Sequence, residues 1–291
     1  LGVPDLTLEQ AIANGVRSLV IGVAPVGGAI PESWWEIIEN AARAGLDVVS
    51  GLHIKLNDRP SLVAIAKAAG TRLIDVRTPP KNLPIGNGKK RSGKRVLMVG
   101  TDCAIGKKYT ALALHKSMQD AGMKASFRAT GQTGIMIAGE GVPIDAVIAD
   151  FISGAAEILS PDNDADHWDV IEGQGSLFHP AYSGVSLGLL HGSQPDGFVV
   201  CHEAGRTVVS GFDHYPLPSL AECIDLHTRV GKRTNPAIRC VGISVNTSSL
   251  KGSARTDYLA ALQAEHGVPC VDSLIDGCDA IAAHIRQTFG A

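Results

Sequence analysis

One short loop limits what this chain can fold into. An apolar run, Val96-Leu97-Met98-Val99, leads into Gly100-Thr101-Asp102-Cys103-Ala104-Ile105-Gly106-Lys107, and a helical pattern with Ala111, Leu114 and Met118 on one face leads out of it. Strand, glycine-bounded loop, Gly-Lys and helix form a phosphate-binding loop. Its backbone N–H groups and the positive end of the helix converge on one small volume, so an anionic group binds there without a deep basic pocket.

The loop departs from the nucleotide-hydrolase pattern G-x-x-x-x-G-K-[ST], whose hydroxyl binds Mg²⁺. Five residues separate Gly100 from Gly106, and Lys108 stands at the hydroxyl position. A charged lysine does not ligate a metal; it adds a second cation. Thr110 is expected to face away from the phosphates. The loop keeps what holds phosphate oxygens and lacks the Mg²⁺ ligand of γ-phosphoryl transfer. A diphosphate that is held and not cleaved fits it better than ATP turnover, and no metal is expected. The alternative is a relic loop that binds nothing.

Hydrophobic residues make up 45% of the 291 positions and aromatics only 4%, which calls for an aliphatic core of the kind parallel sheets build. A net charge of −3 gives no electrostatic case for nucleic acid or an anionic membrane. No apolar run approaches a membrane span. The six cysteines include no C-x-x-C pair, and several sit in strand-like runs. Reduced thiols in a cytoplasmic protein are expected, not disulfides or structural zinc. The chain begins at Leu1, so upstream residues are expected, and no signal-peptide pattern is visible.

The predicted fold is α/β: a small Rossmann-like N-terminal domain over 1–82, a Pro-, Gly- and Lys-rich linker over 83–94, and a P-loop-type domain over 95–291. In the first domain, Thr7 and Gln10 make a capping box. A buried strand is expected at 18–23, a helix at 31–44, a strand at 47–49, a helix at 61–69 and a strand at 73–76. Trp34 and Trp35 are expected to be one buried and one exposed. Gly22, Gly27 and Gly28 follow a strand, but their spacing is not G-x-G-x-x-G, and a turn explains them better than a dinucleotide site. In the second domain, strands at 96–99, 125–129, 168–171, 198–201 and 238–245 alternate with helices at 107–121, 145–159, 219–230, 256–266 and 278–288. That alternation predicts a mostly parallel sheet covered on both faces.

Ligands of such sheets bind beyond the carboxyl ends of the strands. There this chain carries the loop; Thr130-Gly131-Gln132-Thr133-Gly134; Glu172-Gly173-Gln174-Gly175-Ser176 with His179 and Tyr182; His202, Glu203 and Arg206; and Asn246-Thr247-Ser248-Ser249. Their convergence says more than any single motif. Glu172 is a candidate general base if burial raises its pKa, or a carboxylate satisfied by glycine-turn N–H groups. His179 is the other base candidate. His191, His202 and His214 are weaker ones. No tight His/Asp grouping argues for a metal. Cys103 lies where a thiolate is stabilised, although a small packed thiol is the better reading. Arg128 and Arg206 are candidates to clamp a carboxylate, or else ion-pair partners.

The whole chain resembles a bacterial family catalogued as a domain of unknown function, with a Rossmann-like N-terminal and a P-loop C-terminal part. The matching stretches include Val20 to Pro25, Asp47 to His53, Gly100 to Lys107, Ala129 to Gly134, Glu172 to Gly184 and Gly188 to Asp196. The resemblance is close to the D-glutamate N-acetyltransferases of that family. It implies acetyl-CoA as donor, a D-amino acid as acceptor (D-glutamate first), a role in D-amino acid catabolism and a homo-oligomer. The C-terminal part is also similar to dethiobiotin synthetase, where the counterpart of Asn246 lies beside the adenine; Lys108 breaks that pattern. On this reading the loop from Gly100 through Lys107 and Lys108 holds the phosphates, with Gly131 and Asn246 also on the coenzyme. Gln132, Thr133, Arg128 and Arg206 bind the acceptor, and Glu172, His179 and Lys107 act in catalysis. The rival classes are an ATP/Mg-dependent ligase or kinase acting on a small carboxylic or amino acid, and a nucleotide or coenzyme sensor without chemistry.

Overall fold

The structure is a computed structural model that describes residues 2–23, 25 and 29–290. The chain divides into two compact units, residues 1–79 and 80–291.

In the first unit, β1 (Ser18–Ile21), β2 (Asp47–Ser50) and β3 (Leu73–Asp75) form a parallel sheet in that order. Helices α1 (Leu8–Ala13), α2 (Glu32–Arg43) and α3 (Pro60–Ala69) accompany them. Both halves of the Thr7/Gln10 capping box are formed. Proline opens α3 and Gly70, at φ 71°, ends it. Ile38, Ala42, Val48, Leu56 and Leu62 make the core. Trp35 is buried beneath the Arg59 guanidinium, and Trp34 is half-buried. The first strand differs from its expectation. It ends at Ile21, and its side chains alternate between exposed and half-buried, so neither face of the strand is fully covered. Gly22 follows it; Gly27 and Gly28 lie outside the described residues.

The second unit is built on a six-stranded, all-parallel sheet of order β11-β10-β7-β4-β6-β5. The strands are β4 (Lys94–Gly100), β5 (Ala125–Arg128), β6 (Trp168–Ile171), β7 (Gly197–Glu203), β10 (Arg239–Asn246) and β11 (Cys270–Val271). Alternate residues of β4 enter opposite cores, as the pleat requires. Val96 and Met98 pack with α4 (Lys107–Asp120) and α10 (Asp279–Phe289). Leu97 and Val99 pack into the core that takes in α6 (Ile152–Leu159), α7 (Ser183–Ser193), α8 (Leu220–Gly231) and α9 (Ser253–His266). A short helix, α5 (Gln132–Ala138), follows β5, and a hairpin of β8 (Val208–Val209) and β9 (Phe212–Pro216) follows β7.

The helix expected over 145–159 is broken. Two 3₁₀ turns, Ile144–Ala146 and Ala149–Phe151, precede α6, because the backbone at Val147 and Ile148 is extended (ψ 137° at each). The stretch expected as a linker is fastened to the second unit. Glu157 accepts from the N–H groups of Asn87 and Gly88, and Arg91 donates to the carbonyls of Ser160 and Gly192. Among the described residues no helix is long and apolar enough to cross a membrane.

One buried group gives this unit an acid limit. His227 of α8 donates from Nδ1 to the Cys223 carbonyl (2.7 Å), and burial pushes its pKa down from 6.5 to about 4. Above pH 6.5 the ring is neutral in both folded and unfolded chains. Between there and about 4 only the unfolded chain takes the proton, so stability falls as pH falls, by up to about 3 kcal/mol. Urea unfolding at pH 7 and pH 4.5 is expected to show this loss, and His227→Gln is expected to lack that part of it.

Candidate functional site

Six strands ending on one edge bring the predicted loops together, and β4, at the centre, delivers the first. The loop from Gly100 to Lys107 bends through Ala104 (φ 54°) and Gly106 (φ 106°) before α4 begins. A Cβ at Gly100 would strike Ile105 and the Cys201 carbonyl. Among the described residues no acceptor bonds the backbone N–H groups of Ala104, Ile105, Gly106, Lys107, Lys108 or Tyr109, and the first paired amide is that of Thr110. This row is a nest for an anion.

The two lysines stand differently. Lys107 is buried, and its Nζ donates to the Asp102 carbonyl at 2.7 Å. Burial lowers its pKa, and the charges of Cys103, Cys201 and Asp102 oppose that shift only in part. Lys108 is half-buried and lies over the Tyr109 ring at 4.3 Å. Thr110 has its hydroxyl on Ser244 (2.8 Å) and Ser273 (3.2 Å), inside the fold.

A cleft of about 400 Å³ runs from Cys103, Lys107, Lys108 and Tyr109 to Glu172 and the turn Gly173-Gln174-Gly175. The turn sits against β4, and a Cβ on Gly173 would collide with the Met98 carbonyl. The N–H groups of Gly173, Gln174, Gly175 and Ser176 have no acceptor among the described residues. Glu172 is buried, and its Oε2 accepts from Thr130 N–H (2.8 Å) and Gly131 N–H (3.0 Å), while among the described residues no bond is made to Oε1. Burial raises the Glu172 pKa; those two N–H bonds and the Lys108 charge pull it back, and the Asp145 charge pushes it up. A carboxyl in this balance is a proton acceptor with a free oxygen on the cleft.

His179 is 2% exposed, stacked on Tyr182 (4.4 Å) and edge-on to Phe212 (5.2 Å). Its Nδ1 accepts from the N–H groups of Ala181 and Tyr182, which assigns the neutral tautomer with hydrogen on Nε2. Burial lowers its pKa and so favours that neutral form. The ring is therefore a donor through Nε2. Of the weaker candidates, His202 Nδ1 lies 3.1 Å from the Thr101 hydroxyl, His191 is on α7 and His214 is exposed on the hairpin.

Other candidates stand apart from the cleft. Arg128 donates from Nε to Asp169 (2.7 Å). Arg206 donates to Asp102 (2.8 Å) and the Cys103 carbonyl (3.0 Å) and pairs with Glu203. Both arginines are in ion pairs, and neither lines the cleft. Gly131 N–H is on Glu172; Gln132, which is partnered, and Thr133 open α5. Cys103 lines the cleft, and burial pushes its thiol pKa up, away from the thiolate. Asp102, Cys103 and His179 offer ligand atoms within 4.8 Å of one another. Arg206 and Lys107 stand beside them, and both Asp102 oxygens already accept hydrogen bonds, which opposes a metal cation there.

Asn246 lines a second cleft, of about 340 Å³, that shares Ala104, Gly106 and Tyr109 with the first and is closed by Asp272, Leu274 and Ile275. Leu274 and Ile275 were not singled out in the sequence. They follow β11, two residues long and too short to show a period. Gln174, which donates to the Thr130 hydroxyl (3.1 Å), was named only as part of its turn.

A family described as a domain of unknown function (DUF1611_C), P-loop domain, matches residues 84–282, and its Rossmann-like partner (DUF1611_N) matches residues 1–79. The chain belongs to this DUF1611 family. A crystal structure of a DUF1611 family protein from Anabaena variabilis superposes with a TM-score of 0.90 at 39% identity, covering 97% of this chain and 83% of that one. A D-glutamate N-acetyltransferase of Tritonibacter scottomollicae is 51% identical over 97% of this chain and 86% of its own length. One from a Pseudoalteromonas species is 49% identical over 98% and 86%. Within the DUF1611 fold seen here, the meeting of Gly173 with β4 fixes the floor of the cleft. Gly173→Ala is expected to cost about 1–3 kcal/mol or more through overpacking; thermal melting of the variant beside the parent measures it.

Proposed function

We propose that this protein is an N-acetyltransferase that moves the acetyl group of acetyl-CoA to the amino group of D-glutamate or a related D-amino acid. The observation that carries this reading is near-50% identity, over almost the whole chain, to two proteins named D-glutamate N-acetyltransferase. The geometry supports it. An unpaired row of N–H groups with Lys107 and Lys108 suits a diphosphate, and Lys108 replaces the hydroxyl that phosphoryl transfer needs. The second cleft, with Tyr109, Leu274 and Ile275 as apolar walls and Asn246 as a polar group, suits the adenine end of the coenzyme.

The chemistry needs one base. A free amino acid is mostly ammonium at neutral pH, and only the neutral amine attacks a thioester. Between the two candidates, hydrogen bonding favours Glu172. Its Oε1 has no hydrogen-bond partner among the described residues, whereas His179 has Nδ1 occupied and a hydrogen on Nε2. In the proposed step Glu172 takes the ammonium proton and the amine nitrogen attacks the carbonyl carbon. The C–S bond then breaks, the nitrogen gives up its second proton to the departing coenzyme thiolate, and the proton taken by Glu172 passes to solvent. The unpaired N–H groups of the Gly173–Ser176 turn are the donors available to the tetrahedral oxyanion. His179 adds an Nε2–H donor.

Thiol release from acetyl-CoA with D- and with L-glutamate, in EDTA, is the direct test. Stereospecific release is expected; ATP loss that requires Mg²⁺, without thiol release, would overturn the reading in favour of a ligase or kinase. Glu172→Gln is expected to lower kcat by about 10²-fold or more with the CoA Kd unchanged. Because the base works deprotonated and its pKa is raised, activity should fall with falling pH on a limb above the ordinary value of 4.5. That limb should be absent from the residual activity of the variant.

A further inference from the structure

A loop that binds anions carries, in this protein, a buried carboxylate of its own. The side chain of Asp102 has no exposed surface. Its Oδ1 accepts from Cys103 N–H (2.6 Å), and its Oδ2 accepts from Arg206 Nη1 (2.8 Å) and Ser210 N–H (2.8 Å). Arg206 also donates to the Cys103 carbonyl (3.0 Å), so it touches the loop twice. Its third partner, Glu203, is partly exposed and solvated; the charge that water cannot reach is that of Asp102. We propose that Arg206 is a positioning residue: it cancels the Asp102 charge within the loop and ties the loop to the segment before the β8–β9 hairpin, keeping the nest attractive to a diphosphate.

The inference rests on the reading that the loop holds the coenzyme's diphosphate. It reassigns Arg206 from the acceptor to the loop. Without the guanidinium, a negative charge would remain buried two residues before Ala104, the first residue of the unpaired N–H row, and that charge opposes an incoming phosphate. Ser210 N–H keeps its bond to Oδ2, so the loop retains one tether while its charge changes. Removing the Asp102 charge as well should restore binding, whereas a purely structural loss of the pair would not be repaired.

The experiment measures Kd for CoA and for inorganic pyrophosphate, and KM for D-glutamate, in the parent, Arg206→Gln, Asp102→Asn and the double variant. Arg206→Gln is expected to weaken both phosphate probes by about tenfold or more, and the double variant to return within about threefold of the parent. Asp102→Asn alone, which leaves the loop a net cation, is expected to bind both at least as tightly as the parent. The proposal is overturned if Arg206→Gln leaves both Kd values unchanged, if its effect is confined to KM for D-glutamate, or if the double variant is no better than the single. Should the parent bind pyrophosphate and not CoA, the acetyl-CoA reading fails, and the pyrophosphate series alone decides the role of Arg206. Binding of neither probe overturns both.

Discussion

Unmet hydrogen-bonding capacity governs the working end of this fold. Among the described residues, six successive backbone N–H groups, from Ala104 to Tyr109, have no acceptor, and beside them a buried lysine donates to a single carbonyl. Paired backbone donors are the rule in folded proteins, so a row of unpaired ones is costly unless water or a ligand completes it. The sheet makes that arrangement tolerable. Its six parallel strands are buried between helices and carry the stability, which leaves the strand ends free to hold strained, under-bonded loops such as Ala104 at positive φ.

Much of this was legible in the chain because it depends on local order. The strand, loop and helix around Gly100–Lys107 are contiguous, and β6 matches its expected bounds because Trp168–Ile171 is an unbroken buried run. The five longer strands of the six-stranded sheet and both cores follow from apolar runs. The misses have equally local causes. The hairpin β8–β9 has a two-residue strand and an exposed partner, so neither alternation nor hydrophobicity marks it. The 145–159 segment keeps a helical spacing of apolar residues while its backbone is extended at Val147 and Ile148; periodicity reports which residues are buried, not which dihedrals bury them.

The candidate site was legible in its parts and not in its pairings. From sequence, Glu172 reads as satisfied by the glycine turn that follows it or raised by burial; burial does raise its pKa, but its N–H donors belong to Thr130 and Gly131 of another loop. Gly131 is 41 residues away in sequence. Arg206 stands 104 residues from Asp102, and no spacing rule could join them. An arginine near a predicted site reads as a ligand clamp until the carboxylate it meets is known to be the protein's own.

The tautomer of His179 bears on the proposed chemistry in the same way. From sequence, a histidine after a glycine turn and before a proline has the titration range of a base. In the fold, the chain turns back at Pro180 and aims the N–H groups of Ala181 and Tyr182 at Nδ1, while Tyr182 stacks on the ring and Phe212 meets it edge-on. Backbone donors cannot reverse their polarity, so Nδ1 stays an acceptor and the proton stays on Nε2 as long as the ring is neutral. Burial makes the imidazolium costly in that position. A group so held donates reliably and accepts badly, and the proposed proton transfer therefore falls to Glu172, whose second oxygen has no hydrogen-bond partner among the described residues.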